Sequence, residues 1–114
     1  MSKDPPYVYV AGPYSGDQAR NVSEAIGASF MVAACGGIPF LPHLYHFMSI
    51  YATREYSWWM DLCLSWLAKC DVYLELGDSP GTYVERKYAD ERGLKIFTGL
   101  DATSEFRHWM EERG

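Results

Sequence analysis

Tyr7-Val8-Tyr9-Val10-Ala11, stopped by Gly12-Pro13, is a run of β-branched and aromatic residues that is apolar at nearly every position. A strand with one wet face alternates polar and apolar side chains. A short continuous apolar run bounded by turn residues reads instead as a strand buried on both faces. The flanking sequence agrees with that reading. Asp17 is placed to cap a helix whose apolar positions Val22, Ala25, Ile26, Phe30, Val32, Ala33 and Ala34 recur near helical spacing, and Gly36-Gly37 ends it. A second strand, Ile38-Pro39-Phe40-Leu41, follows at once. Residues Pro42 to Tyr56 carry aromatics and two histidines without a clean period, which predicts an irregular connection with one helical turn.

From Ser57 to Lys69, Trp58, Trp59, Leu62, Trp66 and Leu67 form a broad helical stripe with Asp61 at its edge. Asp71 to Leu76 reads as a strand, Gly77 to Gly81 as a turn, Thr82 to Arg92 as a helix closed by Gly93, and Leu94 to Phe97 as a last strand. Ser104 to Arg113 reads as a terminal amphipathic helix. Strands separated by helices cannot pair as hairpins, so they need right-handed crossovers into a parallel sheet covered on both faces. The expected fold is α/β, a Rossmann-like or flavodoxin-like three-layer sandwich with a small parallel sheet. It forms one domain over 1–114, with its core at 7–97 and the terminal helix at 104–113.

The chain has 114 residues, 48% of them hydrophobic and only 22% charged, which suits a single folded core and excludes a disordered tail. Fifteen acidic against ten basic side chains leave a net charge of −5, and no basic run exists to track a phosphate backbone, so a nucleic-acid polymer is not the expected partner. Cys35, Cys63 and Cys70 are odd in number and lack a C-x-x-C pair, which reads as reduced, buried thiols without a structural zinc. The opening MSKDPPYVYV has no secretory apolar region, and no stretch approaches membrane-spanning length. A cytoplasmic protein with no membrane partner is expected.

In parallel sheets, ligands bind at the carboxyl ends of the strands near the switch in strand order. Three loops lie there: Gly12 to Gly16, Pro42 to His46, and Gly77 to Gly81. Ser79-Pro80-Gly81-Thr82 is a strong helix start, with Ser79 as cap and Pro80 in the first turn, so its amides are expected to form an anion site. Glu85, six residues after Ser79, can face the same pocket, where the helix dipole favours its charged form and suits it to be a nucleophile. Alternatively it only complements the dipole and pairs with Arg86 or Lys87 in solvent. Asp61, beside Trp58 and Leu62, offers a second carboxylate whose pKa desolvation would raise toward that of a general acid; otherwise it is a solvated helix residue. Two carboxylates in opposed environments suit cleavage of a glycosidic bond. Tyr9 can donate to Glu85, or is ordinary strand packing. In the first loop Gly12, Tyr14 and Ser15 are candidates for a sugar or phosphate. His43 and His46 lack nearby ligands to complete a metal site and read as base or phosphate contacts, or as packing.

The ordered set Val8-Tyr9-Val10-Ala11-Gly12-Pro13-Tyr14-Ser15, an Asn21-bearing helix, Pro39-Phe40-Leu41-Pro42-His43, Asp61 ahead of Cys70-Asp71, and Gly77-Asp78-Ser79-Pro80-Gly81-Thr82 leading to Glu85 resembles the nucleoside 2-deoxyribosyltransferase superfamily. The resemblance covers residues 7–97, and the spacing is similar to that of the 2'-deoxynucleoside 5'-monophosphate N-glycosidases. It implies Glu85 as nucleophile at the anomeric carbon, Asp61 assisting base departure and Tyr9 holding the nucleophile. It further implies Asp78 and Ser79 as substrate contacts, with Ser79 in the position that tilts the substrate toward a nucleoside 5'-monophosphate, while Gly81, read from the helix start itself, lets a ligand approach the backbone. Pro13 and Ser15 stand where the hydrolases carry a serine and an arginine, leaving His43 or His46 to make that contact. No cofactor or metal is implied, and a homo-oligomer is. A non-catalytic nucleotide sensor and an NAD or nucleotide-sugar glycohydrolase are the rival expectations.

Overall fold

The computed structural model describes residues 4–113. Strands β1 (Tyr7–Ala11), β2 (Ile38–Phe40), β3 (Val72–Glu75) and β4 (Lys95–Phe97) form one sheet in the order β2-β1-β3-β4, and every pairing is parallel. Helices α1 (Gln18–Ala34), α3 (Tyr56–Leu67) and α4 (Pro80–Glu91) make the crossovers, and α5 (Ala102–Arg113) closes the chain. This is an α/β three-layer fold of the Rossmann-like kind.

The apolar run of β1 is buried on both faces, as its sequence requires: Val8, Tyr9, Val10 and Ala11 are fully buried. Alternation along the strand sends Val8 and Val10 with Val72 and Leu74 to one face, where Ala25 and Val32 of α1 and Phe106 of α5 cover them. Tyr9, Ala11 and Tyr73 go to the other face, against Cys63 and Leu67 of α3 and Ala89 of α4. Each such buried Val, Leu or Phe contributes about 1.5–3 kcal/mol. The Asp17 side chain accepts from the Arg20 amide and caps α1, and Gly36 beyond its end has φ of 96°, which favours glycine.

The connection from Pro42 to Tyr56 differs from the irregular segment its sequence suggests. It folds as a 3-10 turn, Pro42–Leu44, running directly into a two-turn helix α2, Tyr45–Tyr51. The helix has no buried residue, so its sequence carries no apolar stripe to reveal the period. Tyr45 anchors it by packing against Phe40 and Trp59, at ring-centroid distances of 6.2 and 5.9 Å. Among the described residues no helix is long and apolar enough to cross a membrane.

Candidate active site

The chain leaves β1 toward β2 on one side and reaches β3 on the other, so the order of strands reverses between β1 and β3. A cleft of ≈ 900 Å³ opens at the carboxyl ends of these strands. The first loop forms one wall. Asn21 of α1 reaches back to donate to the carbonyls of Tyr14 and Ser15 at 3.3 and 3.0 Å, and this fixes the loop. The β3–α4 loop and the first turns of α4 form the facing wall, and α2 and α3 form the side.

Glu85 projects from the second turn of α4 and is only 6% exposed. The Tyr9 hydroxyl, fully buried in β1, donates to Glu85 Oε2. Burial pushes the Glu85 carboxyl up to about 7, against the Tyr9 hydrogen bond, which favours the charged form; buried Glu75 nearby adds to the rise. The charge-favouring helix dipole expected from the sequence is thus outweighed by desolvation. Burial and the Glu85 charge together push the Tyr9 phenol up, so it stays a donor. The Cys63 thiol belongs to the same cluster, raised by burial to about 11.

Gly12, Tyr14, Ser15, His43, His46, Asp78, Ser79 and Gly81 all line the cleft with Glu85. Asp61 does not. It lies exposed on α3, outside the lining, where Met60 and Cys63 take the cleft-facing positions. Trp58, expected to desolvate it, is itself 42% exposed. Of the three residues expected to carry the chemistry, Tyr9 and Glu85 therefore meet and Asp61 lies apart.

The helix start is capped as expected, and the cap takes all but one of the amides expected to hold an anion. Ser79 Oγ accepts from the Thr82 amide at 3.1 Å, Thr82 Oγ1 accepts from the Ser79 amide at 2.7 Å, and the Tyr83 amide donates to the Ser79 carbonyl. Pro80 has no N–H, which leaves the Gly81 amide as the one uncommitted donor of that turn. No Lys or Arg lines the cleft among the described residues. His43 is buried and donates from Nε2 to the Pro13 carbonyl at 3.0 Å; burial lowers its pKa, so the ring is held neutral against the first loop. Tyr14 and His46 hydrogen-bond through the phenol and Nδ1, linking the first loop to α2. Gly12 packs at this corner, where an added Cβ would meet Leu76 and the His43 ring at ordinary contact distances of 3.4 and 3.6 Å. No group of three His, Cys, Asp or Glu side chains able to hold a metal ion occurs among the described residues.

The sequence reading missed a second carboxylate. Glu75, at the end of β3, is 3% exposed; it accepts from Tyr73 at 2.8 Å and from Arg86 Nη1 at 2.7 Å, and Arg86 also reaches Asp78 at 3.2 Å. The signal available was a glutamate inside an otherwise apolar strand run, Val72-Tyr73-Leu74-Glu75-Leu76.

Fold and site together define an α/β protein with a desolvated, tyrosine-held glutamate in a switch-point cleft. Residues 6–98 match the model of a domain family of unknown function, DUF7768, and the chain belongs to that family. No curated protein matches it.

Proposed function

We propose that this protein cleaves, or transfers across, the N-glycosidic bond of a nucleoside, with the Glu85 carboxylate attacking the anomeric carbon. One observation carries the reading: a glutamate that is 6% exposed lines a ≈ 900 Å³ cleft and is held at one oxygen by a buried tyrosine. Tyr9 engages Oε2 and leaves Oε1 for attack. Burial strips water from the nucleophile, and the Tyr9 bond keeps it oriented while charge builds on the sugar. Asp78, at the mouth, adds a carboxylate within reach of sugar hydroxyls.

The lining favours an uncharged nucleoside over its 5'-monophosphate. It carries buried Glu85 without a Lys or Arg, and in the first turn of α4 the cap takes the Ser79 and Thr82 amides and leaves only that of Gly81. Chromatography of bases released from a panel of nucleosides and 5'-monophosphates tests this. Wild-type protein is expected to release base, faster from nucleosides, and Glu85→Gln to release it at least about 10³-fold more slowly. Equal release by the variant removes the mechanism. Bound nucleoside with no free base identifies a sensor instead.

A further inference from the structure

A departing base needs a proton, and with Asp61 outside the cleft its donor must come from elsewhere in the lining. Asp78 is ion-paired with Arg86. His43 has committed Nε2–H to the Pro13 carbonyl, and its Nδ1 is buried without a partner, in surroundings that oppose a charge. Cys63 lines the cleft, but its thiol belongs to the buried Tyr9 cluster and burial raises it to about 11, which makes it a poor proton donor. His46 is arranged differently. It stands on α2 in the cleft lining, with Nδ1 bonded to the Tyr14 hydroxyl and its ring against those of Tyr14 and Phe47, each 5.5 Å away between centroids. Among the described residues none takes Nε2, and Nε2 is not among the buried unpartnered atoms, so it is open.

We infer that His46, held by Tyr14, protonates the departing base through Nε2. The inference rests on the nucleoside reading above. The Tyr14 hydroxyl both donates and accepts, so it keeps the ring in place whether Nδ1 carries a proton or a lone pair. In the protonated ring, Nδ1–H donates to Tyr14 and Nε2–H faces the base. Glu85 Oε1 forms a bond to the anomeric carbon as the carbon–nitrogen bond breaks; its electron pair goes to the base, which takes the Nε2 proton and leaves neutral. Water then adds hydroxide to the anomeric carbon, releases the Glu85 carboxylate and returns one proton to His46. Atoms and charge balance as glycoside plus water giving sugar plus free base.

Leaving-group dependence tests the assignment, because a purine methylated at N7 is already cationic and departs without a proton. His46→Gln and Tyr14→Phe are compared with wild type on 2'-deoxyguanosine and on its N7-methylated cation, folding being checked by circular dichroism. His46→Gln is expected to lower kcat/KM on 2'-deoxyguanosine by about 10²–10⁴-fold and on the methylated substrate by less than about tenfold. Tyr14→Phe should show the same asymmetry, more weakly. Equal losses on both substrates, or no loss on either, overturn the role of His46 while leaving the Glu85 reading intact. Failure of wild type to release base from either substrate overturns both.

Discussion

Two tyrosine–glutamate pairs stand side by side across the β1–β3 ladder. Tyr9 and Tyr73 are register partners with rings stacked at 6.1 Å, one holding Glu85 and the other Glu75. Their chemistry diverges through what else surrounds each carboxylate. Both oxygens of Glu75 are taken, by Tyr73 and by the Arg86 guanidinium, and the Tyr73 hydroxyl also contacts the Thr82 carbonyl at 3.1 Å. Glu85 accepts from one tyrosine at a single oxygen, pairs with no cation among the described residues and lines the cleft. The same pair of residue types thus makes a closed structural link in one place and a poised, uncompensated acid a few ångströms away. The difference is the Arg86 side chain, which pairs with Glu75 and Asp78 and leaves Glu85 without a cation.

The largest expected effects come from breaking this asymmetry in stability. Arg86→Ala leaves Glu75 buried with its charge unpaired, and should cost about 3 kcal/mol in denaturant unfolding at pH 7, at the low end for a buried pair because part of Arg86 stays in water. Glu75→Gln in that background should recover most of the loss. Glu85 behaves in the opposite sense. Its carboxyl titrates at about 7 in the folded chain against an ordinary 4.5, so between those values the folded protein holds a proton that the unfolded chain has lost. Stability is therefore full below 4.5 and declines as pH rises through about 7. Glu85→Gln should raise stability at pH 8 by up to about 3 kcal/mol and change little at pH 4. A neutral Arg86→Ala, or a Glu85→Gln that destabilises at pH 8, would erase the contrast.

Next in size is the contrast between the tyrosines. Tyr9→Phe removes the donor that favours ionised Glu85, so the acid limb of the pH–rate profile should move above its wild-type position near 7. Base release at pH 7 should fall by about tenfold, as a hydrogen bond to a charged group contributes about 1.5–3 kcal/mol. Tyr73→Phe should leave that limb in place and cost about 1 kcal/mol of stability. Equal displacement of the limb in both variants would mean that the two pairs act as one unit.

How much of this was legible follows from where each signal lives. β1 announced itself because four successive residues, Val8 to Ala11, are buried against apolar layers on alternate faces, and glycines at 36 and 93 marked helix ends through their positive φ. Ser79-Pro80 announced α4 through local cap chemistry. The Tyr9–Glu85 bond joins residues 76 apart, and the sequence could offer it only as one possibility beside plain packing. The Glu75–Arg86 link was invisible because Arg86, adjacent to Glu85, was read as a solvent partner of its neighbour. Helix α2 hid because helical periodicity shows only when one face is buried, and none of its residues is.

The smallest expected effect is at Asp61, and it separates the two ways of reading α3. On the sequence the tryptophans define the buried stripe and draw Asp61 to its edge; in the structure Trp58 and Trp66 are 42% and 49% exposed, and Cys63 and Leu67 are the buried positions. Met60 and Cys63 face the cleft, whereas Asp61 is turned about 100° from Met60 around the helix axis. It therefore shares the outer face with Ser65, whose hydroxyl donates to its main-chain carbonyl at 2.8 Å. Asp61→Asn should accordingly change kcat/KM by less than about twofold and stability by no more than about 0.5 kcal/mol, as an exposed substitution does. The measurement to set beside it is the leaving-group comparison on 2'-deoxyguanosine and its methylated cation. A large Asp61→Asn loss on the first substrate alone would assign the proton to α3 and withdraw it from His46. An effect near zero, with the His46 asymmetry present, puts nucleophile and acid on two different elements of the lining, one on α4 and one on α2.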